Sequence, residues 1–128
     1  MDRTSTPLST SSQIQMKQTY TRFVHLARAV RQLPGAPALD AVEERVLESL
    51  AAAWGQGQKV TVLQAMGMSD DSSPTTVHRR LKSLRKKGFI GLHEDETDNR
   101  VKFIEPTAQA DEYFARLGQC VEAAIKQP

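Results

Sequence analysis

The sequence has few of the residues that metal centres and disulfide-stabilised folds require. Cys120 is the only cysteine, which excludes an internal disulfide and a cysteine-rich zinc site. The three histidines, His25, His78 and His93, are scattered through the chain and do not have the spacing of a ligand pair. We therefore predict no metal site and no cofactor.

Catalytic motifs are also missing. The sequence has no glycine-rich phosphate loop, and no nucleophile stands beside a base. The acid groups at residues 43–44, 70–71 and 94–96 fall in predicted helix starts and turns, where carboxylates are commonly solvated. We therefore predict that the protein is not an enzyme and that it has no catalytic residue.

Long apolar segments are absent as well. No apolar run approaches the length of a membrane span, and the first residues lack the apolar centre of a secretory signal. The chain has 128 residues, of which 5% are aromatic and 25% are charged, as expected for one soluble helical domain with a modest core. We therefore expect a cytoplasmic protein that has no membrane partner.

The charge of the chain is small but unevenly distributed. The formal net charge is only +2, yet basic residues concentrate between Arg79 and Lys87, while acidic residues gather upstream at 40–48. A local basic patch can orient a protein on DNA, whereas a uniformly charged surface cannot.

Residues 72–88 have the pattern of one short helix with both ends marked. Ser73 can cap the first turn, Pro74 suits the first helical position, and Gly88 suits the position after the last turn. The apolar residues recur at helical spacing and predict a narrow buried face: Val77, Leu81 and Leu84. The opposite side is basic and bears hydroxyl groups: Thr75, Arg79, Lys82 and Lys86, flanked by Thr76, His78 and Ser83.

Such a helix suits the major groove of DNA, although a solvated cationic face is an alternative interpretation. The segment that follows favours the first interpretation. Residues 89–93 are apolar and β-prone, residues 94–99 are turn-like, and residues 100–104 alternate, which together predict a β-hairpin. A short helix is predicted just before, over residues 61–66, with Thr61 as its cap and with Leu63 and Met66 facing inward. This order of elements predicts a winged helix-turn-helix.

Asp70 and Asp71 lie in the turn that precedes the basic helix. Their carboxylates would repel DNA phosphates unless they cap the helix or point away from it. We therefore expect the turn to influence how the helix approaches DNA.

The remaining segments flank this core. Residues 1–12 are rich in Ser and Thr, and we predict that they are disordered. Residues 14–33 and 39–54 are predicted helices, the second starting at a capping box of Asp40 and Glu43. A last helix over residues 107–126 has a broad apolar stripe that we assign to a partner chain. Cys120 lies on that stripe, so we interpret it as a packing residue rather than a redox sensor.

Over residues 39–117 the sequence resembles the MarR family of bacterial transcription regulators. The matching stretches are residues 76–81, 84–90 and 98–100, with Thr107 opening the next helix. The resemblance implies a winged-helix fold, packing of the outer helices in a homodimer interface, and entry of Arg100 into the minor groove at the tip of the hairpin. Asp98 would orient Arg100 through a bidentate pair. The alternative is that Asp98 and Arg100 only stabilise the hairpin turn.

The predicted fold is mainly α with a small β-hairpin: a winged helix-turn-helix flanked by N- and C-terminal dimerisation helices. The predicted boundaries are a tail at residues 1–12 and a winged-helix domain at 13–128. Within that domain, residues 39–105 form the DNA-binding core, and the helices at 13–34 and 107–126 lie in the dimer interface.

Our leading hypothesis is a dimeric repressor that binds an inverted-repeat operator in double-stranded DNA and occludes a promoter. The alternative is a winged-helix module that binds protein in a phage, plasmid or replication assembly. The sequence identifies neither the operator nor a small-molecule effector. The predicted DNA-binding residues are Ser73, Thr75, Thr76, His78, Arg79, Lys82, Lys86, Lys87 and Arg100.

Overall fold

The structure, a computed structural model, describes residues 6–126 and contains five helices and three strands over that range. In chain order the elements are α1 (Thr10–Arg31), α2 (Ala41–Gly55), β1 (Val60–Thr61), α3 (Val62–Met66), α4 (Pro74–Lys86), β2 (Ile90–Glu94), β3 (Lys102–Pro106) and α5 (Ala108–Lys126). This order confirms the predicted mainly α fold with a small sheet. None of the described helices is both long enough and apolar enough to cross a membrane.

The chain divides into two compact units. One unit comprises α1 and the part of α5 from Phe114 onward, and the other spans Pro37–Tyr113. In the first unit, the guanidinium of Arg22 donates from Nε (3.1 Å) and Nη2 (3.0 Å) to the carbonyl oxygen of Ala124, near the end of α5. The sulfur-bearing side chain of Cys120 is buried in this unit, as the packing interpretation requires.

Helix α1 begins earlier than the sequence predicted. Ser9 caps it, because its Oγ accepts a hydrogen bond of 3.2 Å from the N–H of Ser12. Residues 10–12 are therefore helical, and the prediction of a disordered tail is wrong for them. Residues 1–5 of that predicted tail lie outside the described residues.

Helix α2 begins at the predicted capping box. The Oδ1 of Asp40 accepts from the N–H of Glu43 (2.7 Å), and the Oε1 of Glu43 accepts from the N–H of Asp40 (2.8 Å). Leu47 and Leu50 of the same helix are fully buried in the core of the second unit, as are Val77, Leu84 and Ile104 from α4 and β3.

The three strands form one antiparallel sheet in the order β1-β3-β2. Strands β2 and β3, with residues 95–101 between them, form the hairpin that we call the wing. Leu92 pairs with Ile104, so the wing continues into the core at its base. The indole Nε1 of Trp54 donates to the carbonyl oxygen of Ile104 (3.1 Å), which fastens the end of α2 to the sheet.

The short helix α3 is capped by Thr61, as predicted, through a reciprocal pair of hydrogen bonds with Gln64. The prediction that Leu63 faces inward is wrong, because its side chain is 79% exposed. In a helix of only five residues, Ala65 supplies the buried contact, and Leu63 is turned away from it.

Helix α4 ends as its sequence predicted. Gly88 has a φ of 88°, and the N–H groups of Gly88 and Phe89 donate to the carbonyl oxygens of Arg85 and Leu84 in a Schellman motif. The Oγ1 of Thr107 then donates to the carbonyl oxygen of Gly88 (2.6 Å) and accepts from the N–H of Ala110 at the start of α5. Thr107 thus joins the end of α4 to the start of α5.

Candidate nucleic-acid interface

One side of α4 carries side chains that extend into solvent. The side chains of these residues are exposed and have no hydrogen-bond or ion-pair partner within the part of the chain that the structure describes: Thr75, Arg79, Lys82, Arg85 and Lys86. We call them the exposed row. An exposed cation without an acidic neighbour can exchange its counterions for DNA phosphates, because no internal partner has to be given up.

A second side of α4 faces the start of α2. Arg80, Ser83 and Lys87 are spaced three and four residues apart, so they lie on one side of the helix. The Nε of Arg80 lies 2.8 Å from the Oδ2 of Asp40, as an ion pair without the alignment of a hydrogen bond. The Oγ of Ser83 donates to the Oε2 of Glu43 (2.5 Å), and the Nζ of Lys87 donates to its Oε1 (2.8 Å).

Glu43 is the buried centre of this second side. Its side chain is only 1% exposed, so the prediction that this acid is solvated is wrong. Burial opposes the charged carboxylate, but hydrogen bonds from Lys87, Ser83 and the N–H of Asp40, together with the charge of Lys87, lower the pKa of Glu43 below its ordinary value. Glu43 is therefore held as a buried carboxylate.

Lys87 was predicted to contact the DNA backbone, and in the structure its ammonium group has acceptors within the protein. Its Nζ donates to the carbonyl oxygen of Ala38 (2.6 Å) as well as to Glu43, and its side chain is 31% exposed. Two short hydrogen bonds commit this ammonium group to the start of α2. We therefore leave Lys87 out of the candidate interface.

Three more of the predicted DNA-binding residues lie near the start of α4: Ser73, Thr76 and His78. The Oγ of Ser73 accepts from the N–H of Thr76 (3.1 Å) and donates to the Oγ1 of Thr76 (3.0 Å), which confirms the predicted cap. His78 is half-buried and lines a groove of about 730 Å³ between α3, α4 and the wing. The same groove is lined by basic residues and by the exposed Leu63: Lys82, Arg85, Arg100 and Lys102 are its cations.

At the wing, Asp98 orients Arg100 through a bidentate pair. The Nε of Arg100 donates to Oδ1 of Asp98 (3.0 Å) and its Nη2 donates to Oδ2 (3.2 Å), while the Arg100 side chain remains 87% exposed. These hydrogen bonds from the guanidinium and from the N–H of Arg100 lower the pKa of Asp98, so the carboxylate stays ionised. The geometry fixes an exposed guanidinium at the tip of the wing, but it also stabilises the turn, as the alternative interpretation holds.

Two further acids of the wing, Glu94 and Asp95, have partners within it. The Nζ of Lys102 pairs with Glu94, and the Oδ2 of Asp95 accepts from the Oγ1 of Thr97 (2.7 Å) and from the N–H of Asp98 (3.2 Å). The charge of Lys102 offsets that of Glu94, which reduces the repulsion that this acid would exert on a phosphate backbone.

Asp70 and Asp71 are exposed, and neither caps α4, because Ser73 does. Both residues line a cavity of about 260 Å³ beside α2, together with Arg45 and Glu48. They do not line the groove next to the wing.

The sequence interpretation missed the residues that hold α4 against α2. Asp40 and Glu43 were recognised only as caps, and Arg80 and Ser83 were not assigned a partner. The available signal was the spacing of Arg80, Ser83 and Lys87, which places them together on one side of the helix. Arg85 was also missed, although it lies two turns after His78 and on the same side.

Comparison with solved structures supports the fold. No protein-family model matches the chain, and no curated protein matches its sequence. A MepR variant from S. aureus bound to an oligodeoxyribonucleotide is similar, with a TM-score of 0.66 and 18% identity over 94% of this chain and 81% of that one. The transcriptional regulator Tm0710 from Thermotoga maritima has a TM-score of 0.64 and 15% identity over 92% and 78% of the two chains. MarR itself has a TM-score of 0.52 and 15% identity over 94% and 79%. The chain therefore has the winged-helix fold of these regulators.

Proposed function

We propose that this protein is a MarR-type transcription regulator that binds double-stranded DNA in the cytoplasm and is not an enzyme. The single observation that carries the proposal is the exposed row of α4, which lies beside a wing whose tip presents Arg100. Similar structures of MepR are complexes with DNA, which supports the same partner here. The proposed contact residues are Ser73, Thr75, Thr76, His78, Arg79, Lys82, Lys86 and Arg100, with Arg85 added.

In this proposal, the two parts of the interface have different roles. Arg79 and Lys82 of α4 contact base edges in the major groove, where an arginine can bind guanine in a bidentate manner. Lys86 contacts phosphate, which gives affinity without sequence preference. Arg100 enters the minor groove, where a narrow A·T-rich stretch has the most negative potential.

A selection experiment tests the proposal. The protein is incubated with a pool of random-sequence duplexes, bound DNA is amplified, and the enriched sequence is compared with a shuffled one in mobility-shift titrations at two salt concentrations. We expect enrichment of one sequence, tighter binding to it than to the shuffled duplex, and weaker binding to both at higher salt. Failure to bind either duplex would favour the alternative of a protein-binding winged helix.

We further propose that the regulator is a homodimer that represses by occluding a promoter. The unit formed by α1 and the end of α5 exposes several large apolar side chains: Ile14, Met16, Tyr20, Val121 and Ile125. An apolar surface of this kind in a folded protein is typical of an interface.

Light scattering of the wild type and of a Tyr20→Glu/Ile125→Glu variant tests the dimer. We expect the wild type to have the mass of two chains and the variant the mass of one. A Lys17→Glu variant, which changes an exposed polar position of the same helix, serves as the control and remains dimeric. A monomeric wild type that binds DNA would contradict this part of the proposal.

A further inference from the structure

We propose that Glu43 is a positioning residue of the DNA-binding surface: together with Asp40 it holds one side of α4 and thereby fixes which side faces DNA. This inference rests on the proposed DNA-binding function. It concerns residues that are not themselves proposed to touch DNA.

The two carboxylates of the α2 capping box also contact α4. Asp40 accepts from the N–H of Glu43 through Oδ1 and faces Arg80 through Oδ2. Glu43 accepts from the N–H of Asp40 and from Lys87 through Oε1, and from Ser83 through Oε2. The same two carboxylates therefore start α2 and attach α4 to it.

The attachment points are distributed along α4. Arg80 and Lys87 are separated by about 10 Å along the helix axis, given a rise of about 1.5 Å per residue. Two anchors at that separation on one side restrain both the rotation of α4 about its axis and its tilt. The carbonyl oxygen of Ala38 adds a third acceptor for Lys87, so the segment before α2 takes part in the same restraint.

The restraint matters because base contacts tolerate little displacement. A recognition side chain has to be held within roughly 0.5 Å and 10–20° of its productive geometry. Arg79 precedes Arg80 directly, so a rotation that released Arg80 from Asp40 would also move Arg79 away from its position in the exposed row. A buried carboxylate is costly to desolvate, and apolar residues of similar size would hold two helices together equally well. Besides capping α2, the polar network therefore serves to position the exposed row.

The experiment distinguishes two roles of the network: holding α2 and α4 together, and fixing the orientation of the exposed row. A Glu43→Leu/Ser83→Ala/Lys87→Met variant replaces the network by apolar packing and leaves the net charge unchanged. It is titrated against the duplex that the wild type enriches from the random pool and against a shuffled duplex, and its melting temperature is measured. We expect melting close to that of the wild type, unchanged binding to the shuffled duplex, and a loss of preference for the enriched duplex of about tenfold, the size of one lost base contact.

The matched control is the exposed Glu–Lys pair of α5. Glu122 and Lys126 approach within 4.0 Å on the surface, and a Glu122→Gln/Lys126→Gln variant also leaves the net charge unchanged. We expect this variant to keep the full preference of the wild type. If the apolar variant of the network also keeps it, the network only holds the helices together and the inference is overturned.

A second variant serves if the apolar one does not fold. Glu43→Gln keeps the size of the side chain and an acceptor for Ser83 but removes the charge that binds Lys87. Amide hydrogen exchange of α4 measures its restraint without DNA, and we expect faster exchange together with reduced preference. Unchanged exchange and unchanged preference would overturn the inference. A wild type that enriches no sequence would instead contradict the proposed function.

Discussion

Arg79 and Arg80 are neighbours in the sequence, as are Lys86 and Lys87, yet within each pair the two cations have different surroundings. Arg79 and Lys86 belong to the exposed row of α4, whereas Arg80 and Lys87 face carboxylates at the start of α2. The difference arises from helix geometry, because adjacent residues are rotated by about 100° around the axis. A run of basic residues is therefore not a single surface, and in the proposed complex only the half without acidic neighbours contacts DNA.

The two acids that face α4 also differ from each other. The pair of Arg80 and Asp40 is about one-third to one-half exposed and contributes roughly 0–1 kcal/mol to stability. Glu43 is buried, and its removal leaves the ammonium of Lys87 and the hydroxyl of Ser83 without their acceptor. Loss of the buried acid, Glu43, should therefore lower the free energy of unfolding more than loss of Asp40.

The largest effect that we expect is on stability. Glu43→Ala should lower the free energy of unfolding by about 3–5 kcal/mol, toward the lower end because Lys87 can partly reach water. Urea denaturation measures the loss. Glu48→Ala, which removes an exposed acid of the same helix, is the control and should change stability by about ±0.5 kcal/mol. Equal losses in the two variants would show that the network contributes no more than a surface charge.

The effect of pH on the free energy of unfolding should be smaller than the effect of Glu43→Ala. Comparison with Glu43→Gln isolates the part of it that comes from Glu43. Because the folded-state pKa of Glu43 lies below its unfolded-state value, the charge stabilises the fold above the unfolded value of about 4.3 and stops doing so as pH falls through the folded-state pKa. The difference in unfolding free energy between the wild type and Glu43→Gln should therefore shrink over that acidic range. A difference that stays constant with pH would mean that the charge contributes nothing to it.

For the exposed row of α4, the expected effect is on the preference for one DNA sequence over another. Arg79→Ala should weaken binding to the enriched duplex by about 1–3 kcal/mol and weaken binding to a shuffled duplex much less. Arg45→Ala, which removes an exposed positive charge of α2 outside the proposed interface, is the control and should bind both duplexes about as the wild type does. Equal losses on the two duplexes would make Arg79 a phosphate contact, and no loss on either would remove it from the interface.

At the wing, the expected effect is smaller and depends on the flanking sequence. Arg100→Ala should reduce binding more on duplexes with A·T-rich flanks than on those with G·C-rich flanks, because the narrow minor groove attracts the guanidinium. Stability should change by about ±0.5 kcal/mol, since the side chain is exposed. Titrations against two duplexes that differ only in their flanks measure the effect. Binding like that of the wild type on both would assign Arg100 to the hairpin turn alone.

The features that the sequence predicted are those with local signals. Ser73 and Gly88 mark the ends of α4 through hydrogen bonds to residues a few positions away, and Asp40 marks the start of α2 in the same way. The order of helix and hairpin was predictable because each element has its own periodicity.

The features that the sequence did not predict depend on distant contacts. Glu43 meets Ser83 and Lys87 only after α2 and α4 pack, and a capping residue that is also buried has no separate sequence signal. Leu63 is exposed because α3 is too short to bury two sides. Composition and position along the chain therefore predicted where the candidate site lies. Only the fold shows which of its cations are exposed and which pair with acids at the start of α2.

The measurement that tests this division most directly compares Lys86→Met with Lys87→Met. Both variants lose one positive charge, at adjacent positions. Each is titrated against a random-sequence duplex over a series of salt concentrations, at a temperature at which circular dichroism shows that it is folded. A lysine that neutralises a phosphate contributes about 0.9 to the slope of log K against log salt. We predict that Lys86→Met lowers the magnitude of the slope by about that amount and that Lys87→Met leaves it unchanged. A reduced slope in Lys87→Met, or an unchanged one in Lys86→Met, would contradict the account.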